Sequence, residues 1–355
     1  MPELLSSDQA GSYPIRIAGN ALNMQAGIVA ASCCRGRRTV VVTDENVEAL
    51  YYDSLRQTLE AADFEVASAV IKPGEASKTM ATALLLYEAF TTAGLSREDL
   101  VIALGGGVVG DLAGFAAATY LRGIPLMQVP TTLLAQVDSS IGGKNGVDLP
   151  YGKNLVGTVY QPQAVVIDPL VLRSLSRRRF SEGLAEVIKT GLISDAELFR
   201  QIEQKTYDLE WVIDRCVRIK AGIVARDEQD HGERMLLNFG HTIGHAIELV
   251  TGFSKYAHGE AVAIGMMAAI AVGEKIGCTP AGIRERTAAV LETNGLPLRA
   301  PELQAEDLLK AVKADKKKRS DRINFILLRE IGAGFVQPIP LIEFNQLFLE
   351  VWPDV

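Results

Sequence analysis

Leu100-Val-Ile-Ala-Leu-Gly-Gly-Gly-Val-Val-Gly-Asp-Leu-Ala-Gly-Phe115 is the stretch that decides the fold of the first half of this chain. Its first five residues are all apolar, which is typical of a strand buried inside a parallel sheet. The glycines at 105, 107 and 110 satisfy the pattern G-x-G-x-x-G, and a helical segment follows them. A strand, a glycine turn and a helix N-terminus in this order favour a site for the pyrophosphate of a dinucleotide. The alternative is a glycine turn that only packs a helix against the sheet.

Further strand and helix patterns flank this unit on both sides. Apolar or alternating runs predict strands at 13–17, 39–43, 64–71, 124–129 and 164–168. The turn at Pro73-Gly74 leads into a helix over about 75–94. Because strands alternate with helices, the pattern predicts an α/β fold whose parallel sheet is covered by helices. The last strand places the domain boundary near residue 171, and the remainder is predicted to be mostly helical.

A second informative stretch is Leu236-Leu-Asn-Phe-Gly-His-Thr-Ile-Gly-His-Ala-Ile-Glu248. Apolar residues recur in it at helical spacing, so His241 and His245, four residues apart, are predicted to share one helix face. If this helix extends back far enough, Arg234 and Asn238 join the same polar stripe. The neighbouring glycines at 240 and 244 would let another backbone or a ligand approach closely.

A third histidine, His258, follows soon after in a chain that contains only four. Catalytic zinc typically has three protein ligands and one open position, so these histidines are a candidate metal site. Glu186, three residues before Lys189 in an apolar helical segment, is a candidate carboxylate partner. The alternatives are hydrogen-bonded core histidines and a surface Glu–Lys ion pair. The pattern is not H-E-x-x-H, so it does not indicate a zinc protease.

Small and polar residues dominate 136–148 and 152–154. These segments are predicted to be loops that hold a small anion, with Lys144 and Lys153 as phosphate ligands. The alternative is an ordinary polar loop, which two lysines so close to glycines make less attractive. Asp44 and Asn46 follow a predicted strand, where a carboxylate can meet a ribose or a helix N-terminus.

Composition excludes several classes of function. The net charge of −7 argues against nucleic acid or an anionic membrane surface as a partner. The longest nearly apolar run, 261–273, is too short to span a bilayer and is predicted to be a buried helix. No signal peptide is apparent, and four cysteines without metal-binding spacing are expected to be reduced thiols in the cytoplasm.

With these residues assembled, the sequence resembles the 3-dehydroquinate synthase family of the sugar-phosphate cyclase superfamily. The similarity covers nearly the whole chain and is carried by segments 73–79, 105–115, 120–123, 130–144, 152–154, 185–190, 238–248 and 258–260. It implies a Rossmann-like NAD-binding domain over 1–171 and a mostly α-helical domain for metal and substrate over 172–355, with the site in the cleft between them. It also implies a homodimer.

The resemblance further implies the reaction. The family converts 3-deoxy-D-arabino-heptulosonate 7-phosphate to 3-dehydroquinate and phosphate in the shikimate pathway. NAD is transiently reduced and then regenerated, phosphate is eliminated, and an intramolecular aldol step closes the ring. The alternatives are another sugar-phosphate cyclase and a metal-dependent alcohol or glycerol dehydrogenase.

Residue roles are carried over from the family position by position. The metal ligands, for zinc or cobalt, are implied to be Glu186, His241 and His258, which moves His245 to a substrate or proton-relay role. The NAD-binding positions are Asp44, Asn46, Glu75, Lys78, Gly106, Gly107, Val108, Asp111, Thr131, Thr132, Lys144 and Lys153. The residues around the substrate ring are Asp138, Lys189, Lys220, Arg234, Asn238 and His245. The substrate phosphate is held by Arg122 (from the partner subunit), Lys144, Asn154 and Lys316, with Lys317 as the alternative to Lys316.

Overall fold

The computed structural model describes residues 4–8, 11–228, 232–316 and 321–354, with the backbone alone described at 4–8, 11–12, 314–316 and 354. The chain divides into two compact units. The first contains Met1–Leu175 and Leu209–Glu228, and the second contains Ser176–Asp208 and Gln229–Val355. The predicted domain boundary near residue 171 lies close to Leu175, where the first segment of the first unit ends. The sequence did not predict that a later segment, Leu209–Glu228, also belongs to the first unit.

The strands and helices have the following bounds. The strands are β1 (Leu4–Asp8), β2 (Gly11–Ile17), β3 (Arg38–Asp44), β4 (Glu65–Ile71), β5 (Leu100–Gly105), β6 (Leu126–Pro130), β7 (Lys144–Leu149), β8 (Gly152–Val159), β9 (Ala164–Ile167), β10 (Arg322–Glu330) and β11 (Ala333–Pro340). The helices are α1 (Ala21–Met24), α2 (Ala26–Cys33), α3 (Glu45–Val47), α4 (Asp53–Glu60), α5 (Met80–Thr92), α6 (Gly107–Thr119), α7 (Arg177–Ser194), α8 (Ala196–Gln204), α9 (Leu209–Arg226), α10 (His241–Val250), α11 (His258–Lys275), α12 (Ile283–Thr293), α13 (Ala305–Lys316) and α14 (Leu341–Val351).

One sheet forms the centre of the first unit. Within the described residues its strand order is β1-β2-β9-β6-β5-β3-β4. Neighbouring strands from β2 to β4 run parallel, and only β1 pairs antiparallel with β2. The predicted α/β fold with a parallel sheet is therefore confirmed.

Successive residues of the central strands pack on opposite faces of this sheet, as the pleat requires. Val40 and Val42 of β3 belong to a core cluster with Leu86 and Phe90 of α5. Val41 belongs to a second cluster with residues of α2 and α4. Both faces are covered by helices, which explains why residues 40–42 at the centre of β3 and residues 100–104 of β5 are apolar.

Part of the polar segments predicted as loops, 144–148 and 152–154, belongs instead to an antiparallel hairpin built from β7 and β8. Residues 140–143 before the hairpin are irregular, as predicted, and 136–139 belong to a π-helical turn. Gly146 and Gly157 lie inside the strands rather than in a turn, whereas Gly142 and Gly143 precede β7 with φ of 90° and 69°. An added Cβ at Gly157 would stand 2.3 Å from the carbonyl oxygen of Asn145 on the facing strand. The small residues therefore permit close pairing of the two strands.

Helix α9 belongs to the first unit because its apolar face packs there. Its buried residues include Val212, Ile213 and Val217. The helix contacts β1, β2 and a π-helical turn, Ala135–Ser139. Helical periodicity reveals an apolar face but not the element against which it packs. The sequence therefore did not predict that α9 belongs to the first unit.

The second unit is mostly helical, as predicted. Its described residues form α7, α8, α10–α14 and one antiparallel hairpin, β10–β11. Helix α11 is buried at nearly every position from Gly259 to Gly273, which confirms the predicted buried helix. No described helix of the chain is both long enough and apolar enough to cross a membrane.

The histidine-containing stretch of the second unit is not one continuous helix. A short 3-10 segment, Glu233–Asn238, ends before Phe239, and α10 begins at His241. Gly240 between them is left-handed, with φ of 77°. Arg234 and Asn238 therefore do not continue the helical stripe of His241 and His245, and the extended helix considered from the sequence is wrong.

Candidate active site

A buried ion pair on α7 is the first element of the site in the second unit. Glu186 and Lys189 are 1% and 2% exposed, and the Lys189 ammonium contacts Glu186 Oε2. Thirteen consecutive residues of α7, Ser181–Ile193, are buried, so this part of the helix is not solvated on any face. The alternative of a surface ion pair is excluded.

Three imidazoles lie beside this carboxylate. His241 and His245 share a face of α10, with ring centroids 5.4 Å apart. His258 is the first residue of α11, and its ring centroid lies 5.2 Å from that of His241 and 6.0 Å from that of His245. The predicted cluster of three histidines is therefore present.

Glycines allow the three helices to approach closely enough to form this cluster. An added Cβ at Gly259 would stand 2.3 Å from the carbonyl oxygen of Glu182 on α7. An added Cβ at Gly265 would stand 1.9 Å from the carbonyl oxygen of Gly240, at the start of α10. Backbone atoms cannot give way as side-chain ends do, so each contact requires glycine. The close approach expected near Gly240 is thus made by the backbone of α11.

The carboxylate and two of the imidazoles have the geometry of a metal site. Glu186 Oε1 lies 3.7 Å from His241 Nε2 and 3.8 Å from His258 Nε2. Two ligand atoms bound tetrahedrally at about 2.0–2.2 Å from one ion are roughly 3.4 Å apart. Oε1 is buried and accepts no hydrogen bond from any described residue. Such an orphaned anionic oxygen between two imidazole nitrogens fits a divalent cation.

The electrostatic environment keeps one imidazole neutral. Burial lowers the pKa of His241 well below its ordinary value, and the Lys189 ammonium and the other two histidines act in the same direction. Desolvation alone would lower the pKa of His258 as well. The hydrogen bond and the charge of Glu248, together with the charge of Glu186, outweigh desolvation and raise the pKa of His258. Neutral imidazole is the form that binds metal, so His241 is already a competent ligand.

The other predicted ring-contacting residues of the second unit have different exposures. Arg234 is 2% exposed although it lies in the short 3-10 segment. Asn238, at the end of that segment, and His245 are exposed. His245 also belongs to a second group of potential ligand atoms, together with Glu248 and His258.

In the first unit, the predicted NAD positions lie at the carboxyl ends of adjacent strands. Asp44 ends β3, Gly106 follows β5, and Thr131 follows β6. Those three strands are neighbours in the sheet, so the three positions share one edge. Asn46 follows Asp44, Thr132 follows Thr131, and α6 opens with Gly107 and Val108. This edge is where doubly wound α/β proteins bind dinucleotides.

Two details of this edge bear on the predicted cofactor contacts. Asp44 Oδ1 accepts hydrogen bonds from the backbone N–H of Asn46 and Val47, so this oxygen caps α3. The first turn of α6 receives no hydrogen bond from an N-cap side chain. Its free N–H groups are suited to an anion such as a pyrophosphate.

A buried lysine links α6 to the β7–β8 hairpin. Lys78 is 4% exposed, contacts the Asp111 carboxylate, and donates to Asn154 Oδ1 at 2.5 Å. Burial raises the pKa of Asp111 to about 6 although the Lys78 ammonium opposes this shift. Lys153 Nζ lies 3.3 Å from Glu75 Oε1. These contacts bring together one predicted phosphate position, Asn154, and four predicted NAD positions: Glu75, Lys78, Asp111 and Lys153.

A second pair in the first unit joins α9 to the turn Ala135–Ser139. Lys220 Nζ lies 2.7 Å from Asp138 Oδ1 and 2.5 Å from the Asp138 carbonyl oxygen. Lys220 is 8% exposed, so its charge is held at a defined position among apolar residues. Two residues predicted to surround the substrate ring are therefore neighbours.

The remaining predicted phosphate positions are exposed or lie outside the described side chains. Lys144 begins β7 and is exposed. Arg122 is exposed, and both it and Leu121 are left-handed, with φ of 67° and 51°. Two consecutive non-glycine residues in this conformation are strained, and such strain is commonly found at functional sites. The side chain of Lys316 and the whole of Lys317 lie outside the described part of the chain.

Sequence reasoning assigned no role to Glu248, which lies 3.4 Å (Oε2) from His258 Nδ1 and is 3% exposed. It also missed Glu260, which accepts hydrogen bonds from the guanidinium of Arg178 and from the backbone N–H of Ala257 at the start of α11. Glu248 is three residues after His245 and seven after His241. That helical spacing was the available signal.

Comparisons with known proteins cover both units. Residues 68–182 match the family described as 3-dehydroquinate synthase N-terminal, and residues 183–318 match the family described as 3-dehydroquinate synthase C-terminal. A protein named 3-dehydroquinate synthase from Thermoanaerobacter pseudethanolicus is 46% identical over 336 residues, which are 92% of this chain and 94% of that protein.

Solved structures of sugar-phosphate cyclases are similar in fold. The 2-epi-5-epi-valiolone synthase from Streptomyces hygroscopicus, with NAD⁺ and Zn²⁺ bound, has a TM-score of 0.87 at 29% identity and 96% coverage of both chains. A 2-deoxy-scyllo-inosose synthase with carbaglucose-6-phosphate, NAD⁺ and Co²⁺ has a TM-score of 0.88 at 25% identity, covering 98% of this chain and 99% of that one.

Proposed function

Because the chain belongs to the 3-dehydroquinate synthase family, we propose that it converts 3-deoxy-D-arabino-heptulosonate 7-phosphate to 3-dehydroquinate and phosphate. The enzyme is a phosphorus–oxygen lyase of the shikimate pathway, which leads to the aromatic amino acids. The single observation that carries the proposal is the cluster of buried Glu186 with the half-buried His241 and His258, found in a chain that matches the family along both halves.

Glu186, His241 and His258 would hold one divalent ion, zinc or cobalt. When bound, such an ion lowers the pKa of a coordinated hydroxyl group and so eases its deprotonation. The orphaned Oε1 of Glu186 and the 3.7 and 3.8 Å separations support this assignment. Lys189 contacts the other carboxylate oxygen of Glu186 and neutralises its charge.

The first unit would bind NAD, which takes up a hydride and returns it within each catalytic cycle. The start of α6 receives the pyrophosphate, and Lys78 and Asp111 brace the adjoining surface. The other proposed NAD contacts are Asp44, Asn46, Glu75, Thr131, Thr132, Lys144 and Lys153. Asp44, Asn46, Thr131 and Thr132 share one edge of the sheet, and Glu75 contacts Lys153, which supports these assignments. Lys144 is proposed from the family resemblance alone.

The cationic side chains would bind the substrate ring. Lys189, Lys220 and Arg234 stabilise the substrate carboxylate and the oxyanions that develop during reaction. All three are nearly buried, so their charges act in a low-dielectric environment. Asp138 holds Lys220 in place, Asn238 donates a hydrogen bond to a ring hydroxyl, and His245 relays protons.

Lys144, Asn154, Arg122 and Lys316 would hold the substrate phosphate. The substrate phosphate itself can act as a base and take part in proton abstraction. Its orientation therefore matters for the chemical step as well as for binding. The left-handed conformation of Arg122 and its exposure suit a side chain that reaches a phosphate of another subunit.

The proposed assembly is a homodimer in the cytoplasm. Exposed apolar side chains of the first unit, including Leu84, Leu85 and Leu155, support an interface, and the free cysteines support a reducing compartment. Mixing inactive Arg122→Ala and His258→Ala proteins should restore part of the activity, because mixed dimers regain one complete site. Mixtures that exchange subunits but stay inactive would contradict a site shared in this way.

Two alternatives share the fold, namely another sugar-phosphate cyclase and a metal-dependent alcohol or glycerol dehydrogenase. The 46% identity to a 3-dehydroquinate synthase, against 29% and 25% to the two other cyclases, favours the proposed substrate. A dehydrogenase consumes NAD stoichiometrically and does not need a set of phosphate-binding residues.

The test is phosphate release from the heptulosonate phosphate, with zinc present and NAD far below the substrate concentration. Many turnovers per NAD without accumulation of NADH are expected. Release that stops at the NAD concentration, with NADH building up, would favour a dehydrogenase. Turnover of another heptulose phosphate in its place would favour a different cyclase.

A further inference from the structure

We propose that Glu248 is a positioning residue, which accepts a hydrogen bond from His258 Nδ1–H and thereby directs His258 Nε2 towards Glu186. The inference rests on the metal site proposed above and extends it beyond the three ligands. It assigns a function to a buried carboxylate that the reaction as described does not use.

The geometry of His258 carries the inference. Its Nδ1 lies 3.4 Å from Glu248 Oε2, and its Nε2 lies 3.8 Å from Glu186 Oε1. One ring nitrogen therefore faces each carboxylate. A single imidazole can present only one nitrogen to a given ion, so an ion bound to His258 Nε2 lies on the Glu186 side of the ring and not on the Glu248 side.

The surroundings of the two carboxylates distinguish these roles. Glu186 Oε1 lies near two Nε2 atoms, from His241 and His258, which is the arrangement of a ligand. Glu248 is 3% exposed and faces the nitrogen on the far side of the His258 ring. A carboxylate that accepts the second N–H of a ligating histidine fixes its tautomer and orientation and increases its basicity.

Helix geometry explains why this residue has the role. Glu248 is two turns after His241 on α10, so the helix that supplies one metal ligand also orients a second ligand on α11. His258 is the first residue of α11, where no preceding helical turn restrains its side chain. A buried partner on a neighbouring helix supplies that restraint.

The first measurement uses the metal-free protein at a pH at which its histidines are neutral. Free imidazole in water favours the Nε2–H tautomer, whereas the proposal requires Nδ1–H at His258. Nitrogen-15 NMR of the four ring systems reports the tautomer directly, with His258→Gln to assign the signals. Nδ1–H in the native protein and loss of this preference in Glu248→Gln are expected. Nε2–H at His258 in the native protein would overturn the inference.

The second measurement is zinc affinity by competition with a chromophoric chelator. Glu248→Gln should weaken zinc binding about 10- to 100-fold while the protein still binds one ion. The matched control is Glu274→Gln, the same change of residue type at the end of α11 far from His258. This variant should bind zinc as the native protein does. Thermal unfolding of the metal-free proteins verifies that the variants are folded.

The outcomes separate this inference from the proposed metal site. Native protein that binds no zinc would overturn both. Tight binding of one ion by native protein and equally tight binding by Glu248→Gln would overturn the role of Glu248 alone. Two ions per native chain, with one lost in Glu248→Gln, would instead make Glu248 a ligand, together with His245 and His258.

Discussion

Gly259→Ala tests how the second unit brings its metal ligands together. The added methyl group would stand 2.3 Å from the carbonyl oxygen and 2.6 Å from the Cα of Glu182. Carbon and oxygen atoms without a bond between them need roughly 3.3 Å, so α11 and α7 must separate by about 1 Å. Gly259 is not left-handed, so the effect is steric, and overpacking of this kind typically costs about 1–3 kcal/mol.

The same displacement acts on the metal site. His258 precedes Gly259, and Glu186 is one turn after Glu182. The present gap of 3.8 Å between Glu186 Oε1 and His258 Nε2 already exceeds the roughly 3.4 Å of a tetrahedral pair. A further opening towards about 4.8 Å would remove one ligand from the ion. We expect zinc affinity to fall at least about 10-fold, which corresponds to about 1.4 kcal/mol.

The assay is chelator competition for zinc, with thermal unfolding of the metal-free proteins in parallel. Gly222→Ala is the control, because its added methyl group would meet only the end of the Arg226 side chain, at 3.4 Å. Gly222→Ala should bind zinc normally and be slightly more stable. A folded Gly259→Ala protein with unchanged zinc affinity would refute the claim that close helix approach sets the site.

Three further predictions concern individual charges and thiols. Burial raises the pKa of Cys33 to about 12 and that of Cys34 to about 11, so at pH 8 their thiolate fractions are about 10⁻⁴ and 10⁻³. Both should react with Ellman's reagent far more slowly in folded than in unfolded protein, and equal rates would contradict this. Asp111 has a raised folded pKa of about 6, so its contribution to stability is present below about pH 4 and is lost as the pH rises through 6. Between pH 4 and 7, the free energy of unfolding of the native protein, measured in urea, should fall by up to about 3 kcal/mol relative to that of Asp111→Asn. A difference between the two proteins that does not change with pH would refute this prediction. Lys189→Met removes a cation in contact with Glu186, so apo-protein stability should fall by roughly 3–5 kcal/mol while zinc affinity rises. Calorimetry and chelator competition measure the two effects, and weaker zinc binding in the folded variant would contradict the reasoning.

The sheet of the first unit was predictable because its signals are local. Buried parallel strands have continuous apolar runs, and residues such as Val40, Val41 and Val42 need no information about distant parts of the chain. The glycine turn after β5 was predictable for the same reason. The β7–β8 hairpin was not, because its glycines serve close strand pairing and resemble those of a loop.

The candidate site was predictable from the sequence only in part. Spacing alone placed His241 and His245 on one face, and their ring separation confirms it. It did not predict that α10 begins at His241, because the left-handed Gly240 depends on packing against α11. Nor did it show that Glu186 lies beside His241 and His258, since that proximity depends on how three helices pack. The helical pattern offered Glu186 only as a candidate partner of the histidines, and the family resemblance made it a metal ligand in place of His245.

The most direct test of the proposed metal site is a crystal structure of the zinc-loaded protein with anomalous diffraction at the zinc edge. One peak per chain is expected, within about 2.0–2.2 Å of Glu186 Oε1, His241 Nε2 and His258 Nε2. Glu248 should lie outside that shell, hydrogen-bonded to His258 Nδ1. A peak coordinated by His245 and Glu248 in place of Glu186 and His241 would contradict the proposed centre.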